Sequence, residues 1–128
     1  MMYEIKARYT ADGDKTVKVH YLLDVELFAQ AEVKAYEQLQ DKKDVDVVSI
    51  KRSTIKEVIK IDNGFDYYVA TVSDTYFDDK GNEKIIRYKQ LLPAASIGEA
   101  QKAITEYLKQ GYGLRLDAIK LTTITAVL

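Results

Sequence analysis

Polar and apolar residues alternate from the start of the chain. Tyr3, Ile5, Ala7 and Tyr9 share one face and Glu4, Lys6, Arg8 and Thr10 the other, as a half-buried strand requires. The alternation resumes after Asp12-Gly13-Asp14, with Val17, Val19 and Tyr21 set against Lys18 and His20. Two such runs around a turn-forming triplet predict a hairpin. Phe28, Ala31, Ala35 and Leu39 then recur at helical spacing, which predicts a helix with one buried face. A third strand is expected from about Val45 to Ile61.

The same succession returns further along. Strands near 67–77 and 84–92 flank Asp78-Asp79-Lys80-Gly81-Asn82-Glu83, a turn about two residues longer than the first. Ile97, Ala100, Ile104 and Leu108 mark a second helix on the same face; Ser96 is placed to cap its start, Glu99 to reciprocate, and Gly111 to stop it. A last strand is expected from Leu114 to Val127. In each third strand the apolar phase breaks, at Lys51–Thr54 and again between Ile119 and Ile124, which predicts a bulge.

The recurrence extends to residue identity, since 22–59 can be laid on 91–128 without a gap and ten of the 38 positions are identical. The chain therefore reads as a tandem duplication. The expected fold is α+β: a strand-strand-helix-strand unit in two copies, giving six mainly antiparallel strands, two helices over one side and an internal pseudo-two-fold. The first repeat is placed at residues 1–61 and the second at 67–128, joined by a link at 62–66 that contains Asp62-Asn63-Gly64. At 128 residues the two copies are expected to share one merged core.

Composition narrows the classes of function. Apolar residues are 47% and charged residues 30% of the chain, with one Pro, which excludes a disordered tail. The net charge is −1, from 11 basic and 11 acidic residues in 1–60 and 8 against 9 in 61–128. No global basic field is present, so any nucleic-acid contact has to come from a local patch. The absence of Cys excludes disulfides and thiolate chemistry. No apolar run approaches the length of a bilayer span and no secretory leader is recognisable, so the expected setting is the cytoplasm, away from membranes.

Candidate chemistry is sparse. His20 is the sole histidine, flanked by Val19 and Tyr21, with no carboxylate partner evident along the chain; it reads as a solvated or packing histidine. Asp12, Asp14, Asp78, Asp79 and Glu83 cluster in turns but lack the alternating spacing of a calcium loop, and no phosphate-binding glycine loop is present. The reading is therefore not an enzyme, with no catalytic residues, no metal and no cofactor. Two features remain. Lys6, Arg8, Lys18 and His20 project from one hairpin face, with Lys51 placed to join them, either as successive phosphate contacts or as a solvated mixed-charge face. Ile50-Lys51-Arg52-Ser53-Thr54-Ile55 is echoed by Ile119-Lys120-Leu121-Thr122-Thr123-Ile124. Lys51, Ser53 and Thr54 with Lys120, Thr122 and Thr123 form either a pair of anion sites or a structural bulge whose hydroxyls bond local backbone.

Ten Tyr against three Phe and no Trp is an unusual balance. Most strand tyrosines suit a core ring with a wet hydroxyl, whereas Tyr67, Tyr68 and Tyr112, beside turn signals, are the expected exposed ones and suit a protein interface. The segments Tyr3-Glu4-Ile5-Lys6-Ala7-Arg8-Tyr9, Tyr21 to Glu32, and Val47-Val48-Ser49-Ile50-Lys51-Arg52-Ser53 resemble an uncharacterised domain-of-unknown-function family of small proteins from Bacteroides-type gut bacteria and their phages. That resemblance transfers no active site. It implies an accessory protein of a phage or mobile element in a bacterial host's cytoplasm. The leading expectation is a binding module for nucleic acid or another phosphate-rich ligand. A protein-interaction module, such as an assembly factor or an inhibitor of a host defence protein, is the alternative, and a nucleotide-sequestering cleft is a third. The oligomeric state is not encoded in any pattern we recognise.

Overall fold

The computed structural model describes residues 1–60, 66–111 and 113–128. In chain order the elements are β1 (Met2–Ala11), β2 (Lys15–Asp24), α1 (Phe28–Gln38), β3 (Lys43–Arg52), β4 (Ile55–Val58), β5 (Asp66–Phe77), β6 (Glu83–Ala94), α2 (Ile97–Leu108), β7 (Leu114–Leu121) and β8 (Ala126–Val127). They form two four-stranded sheets, ordered β3-β1-β2-β8 and β4-β6-β5-β7. The class is α+β as expected, but the described residues contain eight strands and not six.

The chain divides into two compact units. Unit 1 is Met1–Ser53 with Thr123–Leu128, and unit 2 is Thr54–Thr122. The expected link 62–66 lies outside the described residues apart from Asp66, which begins β5.

The extra strands arise where continuous third strands were expected. In unit 1, β3 runs antiparallel to β1, and its last backbone bond is from Ser53 N–H to the Met2 carbonyl at 2.8 Å. β3 ends at Arg52, opposite Tyr3 of β1. The following residues instead make β4, parallel to β6 in unit 2. Thr122 N–H likewise bonds the Tyr67 carbonyl at 3.0 Å, beside the first residues of β5, before β8 pairs in parallel with β2. The phase break at Lys51–Thr54 is thus a change of sheet. The bulges lie earlier: Lys6 faces Ser49 and Ala7 faces Val47, leaving Val48 extra, while Thr71 faces Ala118 and Val72 faces Leu116, leaving Asp117 extra.

In unit 1 the apolar faces of β1 and β2 (Tyr3, Ile5, Ala7, Tyr21, Leu23) meet Ala31, Ala35 and Leu39 of α1. The two alanines are fully buried; their small side chains let the helix approach the sheet closely. In unit 2, Tyr68, Ala70, Val72 and Leu92 meet Ala100, Ile104 and Leu108 of α2 in the same manner. Phe28 and Ile97, expected on these buried faces, are instead about half exposed, 50% and 51%, because each opens its helix at the margin of the contact. Ser96 Oγ accepts from Glu99 N–H at 3.2 Å, the expected cap. The helix ends at Leu108, and the left-handed glycine beyond it is Gly113, φ +74°, not Gly111.

Candidate anion-binding site

The site lies on the sheet face of unit 1 opposite α1, and strand pairing assembles it. Lys6 faces His20 and Arg8 faces Lys18 across β1 and β2, while Glu4 faces Lys51 across β1 and β3. Period-two alternation puts Glu4, Lys6, Arg8, Lys18, His20 and Lys51 on one side. Lys6, Arg8, Lys18, His20 and Thr123 line one pocket of about 620 Å³ together with Ala7, Val19 and Val48. Arg8 is held by Asp46 of β3, with Nη2 2.8 Å and Nε 3.0 Å from Oδ2. Both members of that pair are half exposed, so it orients the guanidinium more than it stabilises the fold.

A chain of polar side chains borders the pocket. His20 Nε2 is 2.8 Å from Glu4 Oε1, His20 Nδ1 is 2.8 Å from Thr123 Oγ1, and Ser53 Oγ donates to Glu4 Oε2 at 2.6 Å. The His20 and Glu4 side chains are only 10% and 16% exposed, so the bond between them operates largely out of water. The backbone fixes the imidazole as well, since His20 N–H donates to Thr125 Oγ1 and the His20 carbonyl accepts from Thr125 N–H at 2.7 Å.

Electrostatics follows from this packing. Burial lowers the His20 pKa, and Lys6 and Lys51 push the same way; the Glu4 carboxylate opposes them but does not overcome them, so the value lies below the ordinary histidine range. Burial alone would raise the Glu4 carboxyl, but the bonds from Ser53 and His20 and the charges of His20 and Lys51 carry it below its ordinary value. At neutral pH the pair is a neutral imidazole donating to a carboxylate.

Unit 2 handles the corresponding face differently. Its bulge residue is an acid, and Asp117 accepts from Ser73 Oγ (3.1 Å) and Arg115 Nε (3.0 Å), with Arg87 Nε at 3.7 Å. In unit 1 the bulge residue is Val48, 59% exposed, which leaves Lys6 and Lys18 beside an uncharged side chain.

The remaining predicted residues are distributed as follows. The two Lys-Ser/Thr-Thr segments are each divided between the units: Lys51, Ser53 and Thr123 belong to unit 1, and Thr54, Lys120 and Thr122 to unit 2. Thr122 Oγ1 donates to the Tyr67 carbonyl at 2.9 Å. Tyr68 was expected at the surface and is instead buried at 6% within the unit 2 core. It faces Leu92 across the hairpin on the α2 side, and alternation sends only its neighbour Tyr67 the other way. Tyr67 is half-buried, and Tyr112 lies outside the described residues. The residues missed from sequence are Glu4 and Asp46 as partners of His20 and Arg8. The hairpin register places Glu4 diagonally across from His20, and that was the available signal for the first pair.

Among the described residues no group of three or more acidic or histidine side chains is placed to hold a metal ion, and no described helix is long and apolar enough to cross a membrane. Comparison with protein families finds a match over residues 1–128 to the model for DUF4494, a domain of unknown function. The chain belongs to the DUF4494 family. Its match spans both units, so the cationic pocket of unit 1 and the acid-filled face of unit 2 both fall within the DUF4494 domain. No curated protein matches the chain.

Proposed function

We propose that this DUF4494 chain is a non-enzymatic binding protein that takes a phosphate-bearing ligand, single-stranded nucleic acid foremost, on the unit 1 pocket. The observation that carries the reading is that Lys6, Arg8 and Lys18 line one pocket whose neighbouring bulge residue is Val48. The related face of unit 2 has its arginines occupied by Asp117. Ammonium groups on adjacent strands are spaced to meet successive phosphates, and this term is sequence-independent.

The units also support descent from one duplicated segment, with the closing strands exchanged. Tyr21 and Leu22 pair with Ala126 and Val127, and Gln90 and Leu91 with Glu57 and Val58, at the same offset of 69 residues. The bulges at Val48 and Asp117 share that offset. On this view copy one kept Lys6 and Lys18 beside an uncharged bulge residue, with Arg8 oriented by Asp46, while copy two set an acid between its arginines. The resemblance of the strand segments supports a bacterial cytoplasm as the setting, with a phage or mobile element as the source.

The test is fluorescence anisotropy of labelled oligo(dT) at about 50 mM salt, where phosphate contacts are strongest. Two to three contacts predict that log affinity falls with log salt at a slope of about −1.4 to −2, and each of Lys6→Ala and Lys18→Ala removes about 0.7 from it. Absence of binding at that salt ends the reading. A second reading, a protein-interaction module, is favoured by the end of the β5–β6 hairpin, where Tyr76, Phe77, Ile85 and Ile86 are 43–71% exposed. A single stoichiometric partner captured from host lysate, insensitive to nuclease and lost on Phe77→Ser, would favour it.

A further inference from the structure

An ionised carboxylate can only accept hydrogen bonds. Glu4 accepts from Ser53 Oγ and from His20 Nε2, so the neutral imidazole carries its proton on Nε2 and Nδ1 is a bare lone pair. Thr123 Oγ1, 2.8 Å from Nδ1, must then donate to the ring. Its only hydrogen is committed, so Thr123, which lines the pocket, has no hydroxyl proton left to offer a phosphate oxygen.

A second proton on His20 reverses this arrangement. Both ring nitrogens become donors, Thr123 has to accept from Nδ1, and its hydroxyl hydrogen is released to point elsewhere. Thr123 lines the same pocket as Lys6, Arg8 and Lys18, so the released donor and the new positive charge both favour an anion there. The charged groups around the imidazole are Glu4 and Lys6 from β1 and Lys51 from β3, while the closing C-terminal segment presents the hydroxyls of Thr123 and Thr125.

We propose that phosphate binding at this pocket is coupled to uptake of one proton at His20, and that Thr123 passes the change to the ligand. The proposal rests on the binding reading above. It makes the pocket a proton-linked anion site, and it gives the Glu4–His20–Thr123 chain a role beyond holding the sheet together.

Oligo(dT) is a suitable probe because its phosphodiesters and its bases keep their charge from about pH 5.5 to about pH 8, where histidine titrates. The wild-type affinity is expected to rise as pH falls across that range, approaching at most about tenfold per pH unit for a single linked proton. Calorimetry in two buffers of different ionisation enthalpy should show proton uptake on binding at neutral pH. His20→Gln should flatten the profile, Thr123→Val should lose most of the tightening, and Thr123→Ser should keep it, with thermal melts confirming that each variant folds. Binding that does not change with pH overturns the coupling and leaves the binding reading standing. A Thr123→Val profile as steep as the wild type overturns the role of Thr123. No binding at any pH overturns both.

Discussion

Replacing Glu4 by leucine removes the acceptor that organises the polar chain in unit 1. In the native fold Glu4 accepts from His20 at 2.8 Å and from Ser53 at 2.6 Å, with its side chain 16% exposed. Hydrogen bonds to a charged group contribute about 1.5–3 kcal/mol each, and a buried donor left without an acceptor costs about 1–3 kcal/mol. The gain from burying an apolar side chain offsets part of this, about 1.5–3 kcal/mol when the burial is full. The expected net loss for Glu4→Leu is about 2–4 kcal/mol. Glu4→Gln should cost less, about 1–2 kcal/mol, because the amide oxygen can accept from His20 while the amide nitrogen donates to Ser53 Oγ, and only charge assistance is lost. Urea unfolding at neutral pH followed by circular dichroism resolves these losses, since a slope of about 1–3 kcal/mol/M turns the leucine loss into a midpoint shift on the order of 1–2 M. A leucine variant within about 0.5 kcal/mol of wild type would refute the reasoning, and so would a glutamine variant as unstable as the leucine one.

The pH dependence of stability has a fixed sign. His20 and Glu4 both lie below their ordinary values of 6.5 and 4.5, so the unfolded chain binds more protons than the folded one and stability rises with pH. The His20 contribution is complete above 6.5 and the Glu4 contribution above 4.5, and each is lost as pH falls through its lower folded value. The urea midpoint should therefore fall on acidification, and His20→Gln should remove the upper part of that fall; a midpoint that rises instead contradicts the assignment. Gly113 has φ +74°, and an added Cβ would meet the Thr75 carbonyl oxygen at 2.5 Å, whereas Gly81, φ +80°, has open space. Thermal melts should show Gly113→Ala losing about 2–3 kcal/mol and Gly81→Ala about 1 kcal/mol, and equal losses would remove the steric argument. Ser96→Ala should cost about 1 kcal/mol through the lost cap on α2, read by denaturant midpoint, and no change would show that cap to be idle.

The hairpins and helices were legible because each is written in one local period. Strands expected near 67–77 and 84–92 occupy Asp66–Phe77 and Glu83–Ala94, and the helical spacing of Ala31, Ala35 and Leu39 marks the face that packs on the sheet. What was not legible depends on where the chain goes after a strand ends. The odd spacing between Ile50 and Ile55 shows that the backbone changes phase, and a bulge or a change of sheet meets that requirement equally well. The pairing of Ile55–Val58 with β6 decides between them, and it is a tertiary fact. Proximity to a turn points Tyr68 outward, but strand alternation places it opposite Leu92 on the α2 side, and the alternation prevails. The cations of the candidate site were legible as one face, and the structure gathers Lys6, Arg8, Lys18 and His20 around one pocket. The link from His20 to Thr123 was out of reach, since the two are 103 residues apart and meet only through the pairing of β8 with β2.

The most direct test of the cationic pocket is a heteronuclear NMR titration of the full chain with oligo(dT) at about 50 mM salt. The account predicts that the amides of Lys6, Arg8, Lys18, His20 and Thr123 shift together and saturate, while those of Tyr76, Phe77, Ile85 and Ile86 stay in place. Shifts confined to that hairpin end, or no saturable shifts anywhere, would contradict it.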